Sequence, residues 1–222
     1  NSARIVQLGD DMLSLASEIK VMPSPYFFEA SELNYINDTY VYTFNTSWDK
    51  RDEWPEKFKG IPKPSTCSMA YMTSKTPLDM DSWEYKGHYF RNPGEAGMNY
   101  SNNHSHFMKY KGQYYMIYHA MILQDKMGTD GGFRSLCIDT LKVDEENLNI
   151  ELRSGSVAGV KQIENYNPYK LSLGTTMFTS ADIWYERVKG ENGWATKAME
   201  TGAWVLIKDV DFETGAKTFT TK

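Results

Sequence analysis

The strongest constraint on this chain is the near absence of helical periodicity. Only the stretch from Asp10 to Lys20 carries apolar residues at a spacing that would suit one or two amphipathic turns. Elsewhere the hydrophobic residues fall into short runs rich in aromatic and β-branched side chains. Tyr40-Val41-Tyr42-Thr43-Phe44, Met69-Ala70-Tyr71-Met72-Thr73 and Tyr114-Tyr115-Met116-Ile117-Tyr118 each read as a strand bounded by turn formers. Asn37-Asp38 and Lys111-Gly112 supply turns ahead of two of them. An all-β chain is expected. Aromatic residues are 14% of the sequence, and the surplus suits β-structure, a sugar-stacking surface, or both.

Charge and cysteine content remove several classes of function. Twenty-four Lys and Arg stand against 29 Asp and Glu, a net charge of -5. A nucleic-acid partner is therefore not expected, because phosphate binding calls for a basic excess. No run approaches the roughly 18–20 apolar residues of a membrane span, so no membrane partner is expected either. Cys67 and Cys137 are too few and too far apart for a disulfide framework or an ordinary zinc site. Cys137, inside Leu136-Cys137-Ile138, reads as a buried free thiol.

The two tyrosine hairpins resemble each other. Asn34 to Tyr40 aligns loosely with Lys109 to Tyr114, and repeated antiparallel units at such a spacing point to propeller blades. Composition shifts at Arg153-Ser154-Gly155-Ser156-Val157-Ala158-Gly159, a small-residue stretch suited to a linker or a closing loop. Trp204 to Lys208 and Thr218-Phe219-Thr220 beyond it again read as strands.

Three segments carry candidate chemistry. Pro25-Tyr26-Phe27-Phe28-Glu29-Ala30-Ser31 places a carboxylate directly behind three aromatics. An apolar wall favours the protonated form of a carboxyl, as a general acid near neutral pH requires. A Glu at a strand end pointing to water is the alternative. Ser101-Asn102-Asn103-His104-Ser105-His106 is a polar cluster whose two imidazoles, at i and i+2, share a face in extended chain. They suit metal ligands, hydrogen bonds to a polyhydroxylated substrate, or a solvated turn. Gly131-Gly132-Phe133-Arg134-Ser135 joins two glycines, which permit close backbone approach, to an Arg able to hold a carboxylate or sugar hydroxyls. A hairpin turn with an edge charge is the simpler alternative, and no phosphate-loop Lys follows.

Together these segments resemble glycoside hydrolase family 43 along most of residues 1–155. Phe27-Phe28-Glu29-Ala30-Ser31 is similar to the family's general-acid segment, Asn102-Asn103-His104 to its Asn-Asn-His segment, and Phe133-Arg134-Ser135 to its Tyr-Arg-Ser strand. The resemblance implies a five-bladed β-propeller that hydrolyses arabinan, xylan or arabinoxylan with inversion. It makes Glu29 the catalytic acid and places Arg134 and Asn103 against the sugar, with Phe28 and Trp48 as stacking surfaces. It puts His104 near a central channel that often holds a calcium ion. Inversion also needs a base carboxylate about 6.5–9.5 Å from the acid. The family takes that base, and an Asp that tunes the acid, from earlier blades, and neither segment is found here. Leu8-Gly9-Asp10-Asp11-Met12 resembles an ordinary connection.

A second resemblance covers the C-terminal stretch. Gln162 to Lys170 and Lys208 to Phe219 are similar to parts of a family 6 carbohydrate-binding module, a β-sandwich. Thr175 stands where that family's calcium-binding Glu would be. Trp184, Tyr185, Trp194 and Trp204 are expected chiefly in a sandwich core. The expected organisation is therefore the later blades of a propeller over 1–157 and the first part of a β-sandwich over 158–222. The earlier blades would be partners from the same protein. A polysaccharide or oligosaccharide is the expected substrate, handled outside the cytoplasm. A non-catalytic carbohydrate-binding protein is the alternative.

Overall fold

A computed structural model describes residues 2–49, 53–132, 134–156, 158–177, 179–190 and 193–221. The chain divides into two compact units, Asn1–Val160 and Lys161–Lys222.

The first unit begins with a short ribbon, β1 (Arg4–Ile5) against β2 (Lys20–Val21). A four-stranded antiparallel meander follows: β3 (Phe27–Ile36), β4 (Thr39–Thr46), β5 (Met69–Ser74) and β6 (Glu84–Phe90). Next comes a three-stranded meander of β7 (Ser105–Tyr110), β8 (Gln113–Ala120) and β9 (Ser135–Leu141), with helix α1 (Ile122–Met127) between β8 and β9. A last ribbon pairs β10 (Val143–Asp144) with β11 (Asn149–Ile150). The fold is all-β, as the sequence predicts. Among the described residues no helix is long and apolar enough to cross a membrane.

Both tyrosine hairpins form, and for the same reason. Asn37 and Asp38, and Lys111 and Gly112, all have positive φ, the geometry that matches a two-residue turn to the twist of its strands. Tyr35 faces Tyr40 across the first hairpin, with ring centroids 4.9 Å apart.

The central strands β4 and β5 of the four-stranded sheet are buried on both faces. One core gathers Val41, Met69, Tyr71 and Tyr89 from this sheet, together with Phe107, Met116, Tyr118 and Leu141 from the three-stranded sheet. On the opposite face Tyr42, Phe44, Ala70, Met72 and Tyr85 pack with Ala3, Met22, Phe58 and Trp83. Successive residues of a strand point to opposite faces, so a central strand covered on both sides needs large apolar residues throughout. This explains why Tyr40–Phe44 carries aromatics without the polar alternation of a half-exposed strand.

The segment after β11 returns to the first sheet. Arg91 N–H donates to the Arg153 carbonyl and Arg153 N–H to the Tyr89 carbonyl, both at 2.8 Å. Asp139, buried on β9, then accepts from Tyr118 Oη at 2.9 Å, Ser156 N–H at 2.9 Å and Ser156 Oγ at 2.6 Å. The small-residue stretch is thus fastened to the two sheets as far as Ser156.

Three local expectations differ. The region from Asp10 to Lys20 is not helical, because the Asp11 carboxylate takes Leu13 N–H, Ser14 N–H and Ser14 Oγ, each at 2.9 Å, into a turn. Those bonds hold Asp11 below the usual carboxylate range, and Met12 has φ 58°. Helix α1 spans six residues, too short to leave a periodic signal, and stops at Gly128 with φ 62°. Residues 218–220 form no strand.

The second unit contains two separate ribbons. β12 (Thr179–Ala181) pairs with β15 (Trp204–Leu206), and β13 (Ile183–Arg187) with β14 (Trp194–Ala198). Among the described residues the two ribbons are not hydrogen-bonded to each other. Trp184, Trp194 and Trp204 are 63%, 57% and 48% exposed, not core residues.

Candidate active site

Glu29 lies on β3 opposite Asn45 of β4, and the pairing is irregular on both sides of it. Phe27 pairs with Thr46, Glu29 with Asn45 and Glu32 with Thr43. Between Glu29 and Glu32, β3 advances three residues while β4 advances two, which defines a β-bulge. Ala30 carries the distortion, with φ 56°, in a region that residues with a Cβ seldom occupy. In a regular strand, residues three apart face opposite ways. The extra residue brings Glu29 and Glu32 to the same side.

That side meets the polar segment of the neighbouring sheet. His104, immediately before β7, places Nε2 2.8 Å from Glu29 Oε1. His106, on β7, places Nδ1 2.5 Å from Glu32 Oε1. Two Glu–His pairs therefore bridge the first strands of the two sheets, and the i, i+2 spacing of the histidines matches the bulged spacing of the glutamates. The Glu29 and His104 side chains are 39% and 34% exposed. The carboxyl is thus oriented by a partner yet open to a bound molecule, the situation a proton donor needs.

His119 on β8 sets its ring edge-on to His104, with centroids 5.4 Å apart at 85°. Burial holds His119 below its ordinary value, and the positive charge of Arg134 lowers it further. Arg134 itself is exposed just before β9, close enough for its charge to reach the imidazole cluster. The glycine turn ahead of it is held by its own chain, with Gly132 N–H donating to Gln124 Oε1 at 2.7 Å. Phe133 lies outside the described residues.

A cavity of about 290 Å³ is lined by Phe27 and Phe28, the two residues before Glu29 in sequence, with Ser47, Trp48 and Asp49. Phe28 and Trp48 thus share one wall, and Trp48 is 43% exposed. Glu32 and His119 were not singled out by the sequence motifs. Only cross-strand register and sheet packing bring them to Glu29 and His104.

Asn103 is placed differently from the expected sugar contact. It is fully buried, and its Nδ2 donates to the carbonyls of Cys67 at 3.2 Å and Arg91 at 3.1 Å. It braces the wall from behind and presents nothing to the cavity. The calcium expected near His104 also lacks a protein cage here. Among the described residues no group of three or more His, Cys, Asp or Glu converges on one point, and His104 Nε2 already faces Glu29. Calcium takes six to eight oxygen ligands, and the residues present do not fit that requirement.

No family model matches the sequence. An arabinoxylan arabinofuranohydrolase of Paenibacillus polymyxa is 30% identical over 230 residues, covering 98% of this chain and 34% of the relative. One of Bacillus subtilis (strain 168) is 30% identical over 220 residues, covering 96% of this chain and 40% of the relative. The crystal structure of a glycoside hydrolase family 43 arabinoxylan arabinofuranohydrolase from Bacillus subtilis in complex with cellotetraose superposes with a TM-score of 0.79 at 29% identity. That match covers 94% of this chain and 42% of that one. The chain thus spans about a third to two-fifths of the length of the relatives it matches. Its all-β architecture is shared with a family whose members have a β-propeller fold.

Proposed function

We propose that this chain carries the general acid of an inverting glycoside hydrolase of family 43 that removes sugar from arabinoxylan or a related hemicellulose, and that Glu29 is that acid. The observation that carries this reading is the half-exposed Glu29 carboxyl, held at 2.8 Å by His104 and next in sequence to Phe28, which with Trp48 lines a cavity. The similarity to two arabinoxylan arabinofuranohydrolases over nearly the whole chain supports the substrate class.

In the step, a sugar ring rests its apolar face on Phe28 and Trp48. Arg134 offers its guanidinium to hydroxyls. The glycosidic C–O bond breaks as Glu29 gives its proton to the leaving oxygen. His104 Nε2 then stabilises the carboxylate left behind. A water molecule attacks the anomeric carbon from the opposite face and passes its proton to a second carboxylate about 6.5–9.5 Å away. We assign that base to a part of the protein outside this chain, in keeping with the share of its relatives the chain spans. No step is assigned to calcium. Such an ion would draw its ligands chiefly from elsewhere.

The second unit is proposed as the first part of a carbohydrate-binding β-sandwich of the family 6 type. Its exposed Trp184, Trp194 and Trp204 favour contact with glycan or with further strands. From a polymeric substrate we infer a location outside the cytoplasm. A non-catalytic carbohydrate-binding role is the second reading, favoured by the same exposed aromatics.

The test is Glu29→Gln in the full-length protein. On arabinoxylan, loss of the acid should cost about 10²–10⁴ in kcat. An aryl glycoside with a good leaving group should be spared most of that loss, because it needs little protonation. Wild-type release of sugar from arabinoxylan by the variant refutes the assignment.

A further inference from the structure

We propose that Asn45 is a positioning residue that sets the contact between Glu29 and His104. This rests on reading those two side chains as the reacting pair. Asn45 is fully buried and is the cross-strand partner of Glu29. Its Nδ2 donates to the carbonyl of Asn103 at 2.5 Å, the peptide directly before His104. One side chain therefore ties the strand opposite the acid to the segment that delivers its imidazole partner.

The surroundings show why this bond governs position. Residues 101–104 belong to no strand, so no sheet ladder fixes them, and buried backbone groups must find other partners. Asparagine amides take over. Asn92 Nδ2 donates to the carbonyls of Cys67 at 3.2 Å and Ser101 at 2.8 Å, and Asn103 reaches the carbonyls of Cys67 and Arg91. The Cys67 thiol meets Asn45 Oδ1 at 3.8 Å and the Ser101 carbonyl at 3.7 Å. Burial keeps that thiol protonated, and the nearby Glu29 charge adds to the effect. Of these asparagines, Asn45 alone sits on a strand paired with the acid-bearing strand. Removing its amide frees the Asn103 peptide to shift, and His104 is one residue further on. A displacement near 1 Å at a reacting group can cost about a hundredfold in rate.

The molecule contains its own control. Glu32–His106 joins the same two strands a short step away, and no hydrogen bond from Asn45 reaches it. The experiment compares Asn45→Asp, which keeps the shape and loses the amide N–H, and Asn45→Ser, which is too short to reach Asn103. Imidazole ¹⁵N spectra and thermal melts of the full chain are recorded for each. The expected result is altered His104 nitrogen resonances in both variants, unchanged His106 resonances, and a retained cooperative melt. On arabinoxylan, whose leaving group needs the acid, kcat of the full-length protein should fall about tenfold or more with KM unchanged. Unchanged His104 resonances overturn the proposal. So does joint movement of His104 and His106, or loss of the cooperative melt in both variants, since either makes Asn45 a general stability residue. A full-length wild-type protein without turnover counts against the functional reading alone, and the imidazole spectra still judge Asn45.

Discussion

The bulge at Ala30 gives the sharpest test of how this sequence aims Glu29. Ala30 has φ 56° and is partly buried against the core shared by the two sheets. At an ordinary strand position valine is favoured over alanine by up to about 1 kcal/mol, and glycine is worse by about 0.5–1 kcal/mol. In the left-handed region the order inverts. Ala30→Gly relieves about 1–2 kcal/mol of steric strain. It also gives up about 0.4–1 kcal/mol through the freer unfolded chain and a fraction of the ~0.8 kcal/mol of one buried methyl. The terms nearly cancel, so the glycine variant should match the parent within about 0.5 kcal/mol. Ala30→Val places a branched side chain at positive φ and should destabilise by about 2 kcal/mol or more. For a unit of this size that is a fall of about 4–8 °C in Tm. Denaturant and thermal melts of the three chains decide the matter. A valine variant more stable than alanine would show that residue 30 is in a regular strand, and the account of how Glu29 and Glu32 come to share a side would fail.

Two further predictions concern stability. Phe44 is fully buried and packs against Phe27 and Tyr42 at 6.1 and 5.4 Å between centroids. Phe44→Ala should cost about 3–5 kcal/mol in denaturant titration, and a loss below ~1 kcal/mol would contradict the doubly covered sheet. Burial pushes the Tyr42 phenol up to about 12 and raises Tyr71 and Tyr89. Each holds its proton to higher pH folded than unfolded. The stability they contribute is therefore intact below about pH 10, the ordinary tyrosine value. It is lost above that, and for Tyr42 the loss runs to about pH 12. Unfolding free energy should be flat with respect to these groups from pH 7 to 9. It should then fall by up to about 1.4 kcal/mol per pH unit for each phenol. A midpoint independent of pH between 9 and 11.5 would show that these phenols are not buried.

The parts of this structure that were legible in the sequence depend on local rules. The hairpins could be read because Asn37-Asp38 and Lys111-Gly112 tolerate positive φ, and the strands because their aromatic runs suit a covered sheet. The shared face of His104 and His106 follows from the two-residue period alone. What was not legible depends on register between distant strands. Nothing in Phe27-Phe28-Glu29-Ala30-Ser31-Glu32 announces a bulge, so Glu32 looks as though it faces away from Glu29. Asn103 has the composition of a sugar-binding side chain, yet which way an amide points is decided by the carbonyls of Cys67 and Arg91, remote in sequence. The tryptophans of the second unit look like core residues, yet on its two separate two-stranded ribbons they are about half exposed.

These register effects also separate two kinds of control over the candidate site. The bulge acts on β3 and sets the faces of Glu29 and Glu32 together, so a change that straightens it disturbs both Glu–His pairs. Asn45 acts through the Asn103 peptide and bears on His104, leaving the bond between Glu32 and His106 intact. If both devices operate as described, Ala30→Val perturbs the two imidazoles in step, while Asn45→Asp perturbs one. The contrast does not depend on turnover, because it follows from which strand each residue holds. It makes the pairing of the two sheets the element on which the proposed chemistry rests. Glu29 is aimed by a distortion within one sheet, and His104 is held by an amide reaching across to the next.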